Sequence, residues 1–427
     1  MNTMNNVSNT GRVISLLIYV FFTINFAYAH SENIASSYHY SGEIQFLPEQ
    51  GFLKLHWQIA VKNPEEESIS FLLRSTLNEV NVSGGHVSSF SLGDSQLGDE
   101  FQKIDITLTP AKTNTPRIIN LDYQGILLPE PMSNKINQIS TSAIELNVDS
   151  FWLPMDSRFN QLLTTDLHIT VGKGWLPVGA GNITSTKTGY RLVNNKPAID
   201  ISFALSKSYL ISKMAGYTLF DLRENQSGMT KLKSSIDFCI NQLNTRYGEN
   251  DPLTNIDFTI NDRPSSGYAR GNYIALTDIT DTPPDRLTQF VCHEIAHHWS
   301  GNGKFDTEEN WLNEAFAEYV GMMMLREKFG QDAFKQRIAQ FQKQIGGKKL
   351  APIWTAEINA RPEYLVSYRK APLSLWALEQ KIGKAAFEKF IELYMTSKTT
   401  STEQLLKQLL QVTNKKTQNW FIQQLAQ

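Results

Sequence analysis

Two histidines four positions apart, His293 and His297, are the residues whose spacing most directly indicates chemistry in this sequence. They belong to the run Val291-Cys-His-Glu-Ile-Ala-His-His-Trp299, which contains the pattern His-Glu-x-x-His. On a helix this spacing places both imidazole rings on one face, one turn apart, so they can bind a single metal ion. Glu294 lies between them and can reach a water molecule on that ion without being a ligand. The run predicts a metal-binding helix with its own general base; a solvated helix face carrying two histidines is the alternative.

Glu314 is the candidate for a third metal ligand. A catalytic zinc ion takes three protein ligands and keeps one position open for water, so two histidines leave one ligand missing. The run Trp311-Leu-Asn-Glu-Ala-Phe-Ala-Glu-Tyr319 follows shortly downstream and places Glu314 on the next helical stretch. We therefore expect one Zn²⁺ per chain, bound by His293, His297 and Glu314.

The two runs resemble the M1 family of zinc metallopeptidases, the gluzincins that include aminopeptidase N and leukotriene A4 hydrolase. That family reads His-Glu-Leu-Ala-His-Gln-Trp-Phe-Gly-Asn and then Trp-Leu-Asn-Glu-Gly-Phe-Ala. This chain reads His293-Glu-Ile-Ala-His-His-Trp-Ser-Gly-Asn302 and then Trp311-Leu-Asn-Glu-Ala-Phe-Ala317. The spacer before the third ligand, residues 298–313, is two residues shorter than the family's usual spacer, and a surface connection tolerates such a loss.

The resemblance implies roles for two further residues. In the M1 family a tyrosine stabilises the oxyanion of the tetrahedral intermediate, and it sits just before a Glu-Lys-Gly-type sequence at the start of a helix. Tyr368, in Tyr368-Arg-Lys-Ala-Pro372, occupies that place here. Glu309 lies five residues before Glu314, where the family commonly has an aspartate, and would accept the second ring N–H of a ligand histidine. A solvated glutamate is the alternative, because other acidic residues crowd the same loop.

The substrate-binding segment departs from the family. M1 aminopeptidases carry Gly-Ala-Met-Glu-Asn upstream of the zinc helix, and its glutamate binds the free amine of the substrate. The corresponding stretch here, Gly267-Tyr-Ala-Arg-Gly271, has no carboxylate and places Arg270 where the glutamate would be. A guanidinium group binds a carboxylate, so we expect weak or absent aminopeptidase activity and a preference for a carboxylate near the scissile bond. Alternatively, Arg270 turns to solvent or to a local acid, and the backbone from Gly267 pairs with substrate as a strand edge.

Two kinds of periodicity predict the elements that position these residues. From about His30 to Ile211 apolar and polar residues alternate, which is typical of half-buried strands. From Leu232 onward the apolar residues follow helical spacing, and Pro283 and Pro284 open the zinc helix at its first turn, where proline is tolerated. The predicted fold class is therefore multidomain, with an N-terminal antiparallel β domain followed by a thermolysin-like, mainly helical zinc metallopeptidase domain.

The predicted organisation has three parts. Residues 1–29 form a signal peptide, residues 30–212 form an antiparallel β domain similar to the M1 N-terminal domain, and residues 213–427 form the catalytic domain. The helical-repeat domain with which larger M1 enzymes continue is not recognisable, so the resemblance implies a more open cleft than in those relatives.

The N-terminal segment and the composition bear on location and partners. An apolar run, Val13–Ala27, is followed by the small-residue site Ala27-Tyr-Ala29, so we expect an exported protein, periplasmic or extracellular. After signal cleavage no stable membrane span is expected; an uncleaved anchor is the alternative. A net charge of −2 and a pI of about 6.5 give no electrostatic case for nucleic acid. We expect Cys239 and Cys292 to be two buried thiols, although in an exported protein they could pair.

These features predict a zinc-dependent metallopeptidase that hydrolyses peptide bonds through a zinc-activated water. Glu294 would accept the proton of that water and later donate it to the leaving amine. Tyr368 would stabilise the oxyanion. The alternative is a degenerate gluzincin that binds peptides or partners without turnover, and hydrolysis of a non-peptide bond also stays open.

Overall fold

The computed structural model describes residues 36–110, 115–127, 139–159, 161–223, 225–261 and 267–427. One compact unit, Ile34–Gln427, contains all of them. The predicted signal peptide at residues 1–29 lies outside the described residues. Within the described ranges no helix is both long enough and apolar enough to cross a membrane.

The first half of the described chain consists mainly of strands, and alternating apolar residues let the long strands Tyr38–Leu47, Phe52–Val61 and Arg117–Ile126 bury one face. In the second strand, for example, every second residue from Leu53 to Val61 is buried. The strands are β1 (Tyr38–Leu47), β2 (Phe52–Val61), β3 (Ser68–Arg74), β4 (Leu77–Ser83), β5 (Val87–Asp94), β6 (Phe101–Leu108), β7 (Arg117–Ile126), β8 (Ala143–Leu146), β9 (Met155–Asp156), β10 (Leu163–Thr170), β11 (Leu176–Gly179), β12 (Asn182–Ser185), β13 (Gly189–Ala198) and β14 (Phe203–Ser206).

These strands form three sheets around one apolar core. Their orders are β12-β13-β10-β1-β2-β7-β4, β5-β6-β3-β9 and β11-β14-β8. The pairings are antiparallel except that of β1 with β10, which is parallel. Trp152 lies at the centre of the core, with its ring 5.9 Å from that of Trp57 and 5.5 Å from that of Phe203. The predicted N-terminal β domain is confirmed, with one parallel pair that the alternation of residues could not reveal.

The second half of the chain combines one sheet with eight helices among the described residues. The sheet order is β15-β16-β17-β19-β18, and β15 crosses the domain boundary that the sequence placed at residue 212. Its strands are β15 (Leu210–Met214), β16 (Tyr217–Asp221), β17 (Ile256–Ile260), β18 (Tyr268–Arg270) and β19 (Tyr273–Leu276). The helices are α1 (Met229–Tyr247), α2 (Pro284–Ser300), α3 (Asn310–Phe329), α4 (Gln331–Ile345), α5 (Ala371–Ile382), α6 (Lys384–Thr396), α7 (Thr402–Val412) and α8 (Lys415–Leu425).

Helices α2 and α3 pack closely enough to bring their backbones together. At Gly321 a Cβ atom would lie only 2.6 Å from the backbone oxygen of Gln289 and 3.4 Å from the backbone nitrogen of His293. Only a glycine allows this approach without displacing one helix. Residues Trp311 to Leu325 of α3 are buried throughout, so α3 is a central element of this half of the protein. The close packing sets the distance between the two predicted metal-binding helices.

Cys239 and Cys292 form a disulfide that joins α1 to α2, with their Cα atoms 5.1 Å apart. The expectation of two separate thiols is therefore wrong. Cys292 directly precedes His293 and consequently points to a different face of α2, which is the face that packs on α1. Both cysteines are fully buried. The disulfide attaches the metal-binding helix to its neighbour from a face other than the one that carries the histidines.

Candidate active site

Three potential metal ligands converge between α2 and α3. Nε2 of His293 lies 3.2 Å from Nε2 of His297, and Oε2 of Glu314 lies 3.7 Å from the first nitrogen and 3.5 Å from the second. The histidines are one turn apart on α2, and Glu314 lies on the packed side of α3. The structure therefore brings the three predicted ligands into one group.

The spacing of these atoms fits a zinc ion. With zinc–ligand distances of about 2.0–2.1 Å, neighbouring ligands of a tetrahedral site lie about 3.3–3.4 Å apart. Oε2 of Glu314 is buried and has no hydrogen-bond partner within the described ranges, which is costly unless a cation binds it. Imidazole nitrogen and carboxylate oxygen are also donors that zinc takes in catalytic sites. His293, His297 and Glu314 would hold the ion and leave one position for water or substrate.

Glu318 orients one of these histidines. Its Oε2 accepts a hydrogen bond from Nδ1 of His293 at 3.0 Å, which leaves Nε2 of that ring free to face the metal position. Gln289 donates to the other carboxylate oxygen of Glu318, also at 3.0 Å. The sequence contains a signal for this residue that our sequence reasoning missed. Glu318 lies four positions after Glu314, so the two side chains share a face of α3.

Glu309 does not bind a ligand histidine, so its predicted role is wrong. Its Oε2 accepts hydrogen bonds from the backbone nitrogen of Thr402 at 2.7 Å and from the Thr402 hydroxyl at 2.6 Å. Thr402 is the first residue of α7, where backbone N–H groups lack partners within the helix. Glu309 lies just before α3, and its side chain is directed toward the first residue of α7. Glu318 lies within α3, and its side chain is directed toward α2.

Glu294 lies on the same helix as the two histidines and faces the edge of the sheet. A Cβ atom built on Gly267 would lie 3.1 Å from Oε1 of Glu294 and 2.7 Å from the ring of Phe290. The backbone before β18 thus passes directly beside the proposed general base. A larger residue at position 267 would push into that carboxylate, so glycine is needed for the close approach.

Burial and neighbouring charges shift the pKa values of the metal-free site. Burial raises the pKa of Glu294 to about 7. Burial alone would lower the pKa of His293, but the hydrogen bond and charge of Glu318 outweigh it and raise that pKa to about 9. Burial lowers the pKa of His297 to about 4. Burial would raise the pKa of Glu314, but the two histidines outweigh it and lower it. A buried cluster of this kind is stabilised by a bound cation.

Tyr368 lies beside the metal-binding group. Its ring stacks on the imidazole of His293 with centroids 5.8 Å apart, and its hydroxyl is close enough to the Glu314 carboxylate for that charge to act on it. Burial and the charge of Glu314 raise the pKa of Tyr368, so the phenol stays protonated and can donate. It belongs to a π-helical turn, Val366–Lys370, that leads directly into α5. The structure thus brings Tyr368 together with the predicted ligands.

Arg369 connects the tyrosine to the histidine side of the site. Its Nη1 donates to Oε1 of Glu318 at 3.2 Å and to the backbone oxygen of Tyr368 at 2.6 Å. Its Nη2 donates to the hydroxyl of Tyr364 at 2.5 Å. Glu318 therefore receives hydrogen bonds from a metal-binding helix and from the segment that carries Tyr368. Our sequence reasoning missed Arg369, because nothing local to the sequence pairs it with an acid 51 residues earlier.

Arg270 is held by an acid of the β domain, so its predicted role in binding substrate is not supported. Its Nε donates to Oδ1 of Asp200 at 2.8 Å, and its Nη1 donates to the backbone oxygen of Ala269 at 2.8 Å. Asp200 is almost fully buried and also accepts from the backbone nitrogen of Val148 and from the hydroxyl of Ser202. The alternative that Arg270 turns to an acid is the one the structure shows, although the acid comes from another domain.

The segment after Gly267 is an edge strand of its sheet. Tyr268 to Arg270 pair antiparallel with β19, and β18 is the last strand in its sheet. An edge strand next to a cleft presents backbone N–H and C=O groups with which an extended peptide can pair. The site thus brings together a metal-binding group, an acid, a tyrosine and the edge strand β18.

Comparison with known proteins supports a family for the helical half. Residues 270–424 match the model of the Peptidase family M1 domain. Leucine aminopeptidase 2 of Emericella nidulans is 29% identical over 120 residues, which are 25% of this chain and 19% of that protein. Leucine aminopeptidase 2 of Chaetomium globosum is 28% identical over 125 residues, 25% of this chain and 20% of that protein. The aligned part is about a fifth of the length of these curated relatives.

Solved structures show the same two-part fold. The M1 zinc metallopeptidase of Deinococcus radiodurans superposes with a TM-score of 0.69 and 16% identity over 91% of this chain and 93% of that chain. Leukotriene A4 hydrolase of Saccharomyces cerevisiae superposes with a TM-score of 0.65 and 16% identity over 90% of this chain and 67% of that one. These similarities cover the β sheets as well as the helices, and they confirm the predicted fold class.

Proposed function

We propose that this chain, which belongs to peptidase family M1 through its residues 270–424, is an exported zinc metallopeptidase that hydrolyses peptide bonds. The observation that carries the proposal is the convergence of three ligand atoms, 3.2–3.7 Å apart, beside Glu294 and Tyr368. A zinc ion bound there would polarise the scissile carbonyl and lower the pKa of its water to about 7. The remaining tasks fall to residues of this chain.

Glu294 moves the proton in this mechanism. It lies on α2 between the two ligand histidines and is buried beside the backbone of Gly267, where the scissile bond of a paired peptide would pass. Burial holds its pKa near neutrality, at about 7, which suits a group that first accepts and then returns a proton. Glu294 would take the proton of the attacking water and donate it to the leaving amine.

Tyr368 supplies the hydrogen bond that strengthens as negative charge develops. Its hydroxyl lies close to the Glu314 carboxylate, and its raised pKa keeps the proton available for the oxyanion of the tetrahedral intermediate. Glu318 and Arg369 hold this side of the site in place, since Arg369 binds both Glu318 and the backbone of Tyr368. The donor is therefore positioned before the substrate arrives.

Short peptides are the substrate class that we propose. A variant of the Deinococcus radiodurans enzyme is described as bound to the substrate Tyr-Ser-Ala, and the curated relatives are named leucine aminopeptidases. In this chain Arg270 occupies the position expected for an amine-binding glutamate and is itself paired with Asp200. We propose peptidase activity without a strict requirement for a free amino terminus.

Export is part of the proposal and has separate support. The segment 1–29 has the sequence of a signal peptide, and the disulfide between Cys239 and Cys292 is typical of proteins that fold in an oxidising compartment. Cell fractionation with N-terminal sequencing of the mature protein would test this. A mature chain that begins at His30 in the exported fraction is the expected result, and an intact Met1 terminus in the cytoplasm would contradict it.

Cleavage of a mixed peptide library by the purified chain tests the activity. We expect cleavage with the zinc-loaded protein, its loss after chelation and its return when zinc is added. The Glu294→Gln variant should hold zinc and cleave nothing, which separates the proposed site from a contaminating peptidase. If the zinc-loaded protein binds library peptides and cleaves none, the chain is a binding module of the M1 fold.

A further inference from the structure

Arg361 lies in the connection between α4 and the π-helical turn, and two contacts hold its guanidinium in place. The guanidinium carbon lies 4.1 Å from the centre of the Phe305 ring, which is a cation–π arrangement. Nε of Arg361 donates to the side-chain oxygen of Asn310 at 3.2 Å when the amide is oriented to satisfy its neighbours. One face and one edge of the guanidinium are thereby used, and the two terminal nitrogens remain as a fork.

Arg361 makes no close ion pair within the described ranges, although its charge acts on the carboxylate of Asp306, next to Phe305. Within the described ranges no carboxylate oxygen lies within 4 Å of its guanidinium, and the residue is exposed. The other arginines around the site are each paired, Arg270 with Asp200 at 2.8 Å and Arg369 with Glu318 at 3.2 Å. Arg361 is therefore the arginine at this site whose bidentate end is open to a ligand.

The position of Arg361 places this fork beside the reacting groups. Its partner Asn310 lies four residues before Glu314 on α3, so the two side chains lie one helical turn apart on the same face. The fork thus lies on the Glu314 side of the metal-binding group, whereas Gly267 borders Glu294.

We propose that Arg361 is a subsite that binds a carboxylate of the peptide substrate. Planar guanidinium groups bind carboxylates through two parallel hydrogen bonds, and a fork already held by a ring and an amide loses little freedom on binding. The carboxylate is either the C-terminus of a short peptide or an acidic side chain. This inference rests on the proposed peptidase function, because it assigns a specificity element to that same cleft.

Kinetics on matched peptides test the subsite. A tripeptide with a free C-terminal carboxylate is compared with its C-terminal amide and with an amide that carries a glutamate side chain at the last position. For the native protein we expect kcat/KM to be roughly tenfold or more higher for a carboxylate-bearing peptide than for the neutral amide, because a charge-assisted pair is lost. The peptide whose kcat/KM exceeds that of the neutral amide shows whether the carboxylate is the C-terminus or an acidic side chain.

Two substitutions make the test specific to the fork. Arg361→Ala should reduce the preference to about one, mainly through KM, while the neutral amide is cleaved almost as before. Arg361→Lys keeps the charge but not the fork, so it should retain only part of the preference. Arg191→Ala, at an exposed arginine of β13 that pairs with Asp166, is the matched control and should leave the preference intact. Preference that survives Arg361→Ala overturns the proposal.

A binding measurement separates failure of the subsite from failure of the proposed function. Peptide affinities are measured by calorimetry on Glu294→Gln and on Glu294→Gln with Arg361→Ala, so that no turnover is needed. Tighter binding of the free acid that disappears with Arg361→Ala supports the subsite, even if the native protein cleaves nothing. Cleavage by the native protein together with equal affinity for acid and amide would refute the subsite and leave the peptidase function standing.

Discussion

The two flanks of the metal-binding group are built in different ways. On the helix flank, α2, α3 and the π-helical turn converge on Glu318, which is bonded to His293 and to Arg369. On the strand flank, β18 is tied by Arg270 to Asp200, a residue of the β domain. The first flank is stabilised within the helical half, and the second depends on a contact between the two halves. We therefore expect the helix flank to control metal binding and turnover, and the strand flank to control how substrate is held.

The largest effects should follow from removing the metal ligand and the base on the helix flank. Glu314→Ala removes one of three ligands, so bound zinc should fall sharply and activity should disappear with it. Glu294→Gln cannot accept a proton, so zinc should stay bound while kcat falls by roughly 10²–10⁴. Metal analysis after dialysis, together with peptide kinetics, distinguishes the two variants. Full zinc occupancy in Glu314→Ala would show that the third ligand is another residue.

Removal of the tyrosine hydroxyl should have the next largest effect. Tyr368→Phe keeps the ring that stacks on His293 but loses the proton donor, so kcat should fall by roughly 10²–10³ with little change in KM. Zinc binding should be retained, because the phenol is not a ligand. Tyr364→Phe is the comparison variant: Tyr364 is exposed, stacks on Tyr368 at 4.8 Å and binds Arg369, so loss of its hydroxyl should lower kcat far less than loss of the Tyr368 hydroxyl. An unchanged kcat in Tyr368→Phe would assign the ring to packing.

The comparison of the flanks also explains what the sequence could predict. His293 and His297 follow local helical spacing on α2, and Glu314 follows from the need for a third ligand and from the resemblance of its motif to that of the M1 family. Glu318 obeys the same rule, because it lies four residues after Glu314, and it could have been chosen in place of Glu309. The residues of the helix flank that are related by helical spacing could therefore be predicted from the sequence alone.

The contacts of the strand flank could not be predicted from the sequence in this way. Arg270 and Asp200 are 70 residues apart and lie in different halves of the protein, and no local pattern connects them. The pairing of Cys239 with Cys292 likewise depends on how α1 packs on α2, which helical spacing does not specify. Both contacts arise from tertiary packing. The sequence predicted that Arg270 would bind substrate, whereas the structure pairs it with Asp200; substrate contact by the segment from Gly267 stays a prediction.

Loss of the carboxylate that orients His293 should weaken zinc binding to an intermediate degree. Glu318→Ala removes the acceptor of the His293 Nδ1–H group, and such partners typically contribute about 10–100-fold to metal affinity. Competition with a chelator of known affinity measures the change. Arg369→Leu is the comparison variant: it should lower kcat while leaving zinc affinity close to native, because Gln289 still binds Glu318. Equal loss of zinc affinity in both variants would mean that the network acts as one unit.

The smallest effect on turnover should come from the strand flank. Arg270→Met breaks the contact between β18 and Asp200, while Asp200 keeps its bonds from the backbone of Val148 and from Ser202. A less well-held edge strand should raise KM for peptides by roughly threefold to tenfold and leave kcat within about twofold, because Glu294 and Tyr368 are not displaced. The preference for a carboxylate should also survive, since the open fork is that of Arg361. If Arg270→Met instead removes that preference, Arg270 rather than Arg361 binds the substrate carboxylate, and the recognition site lies on the strand flank.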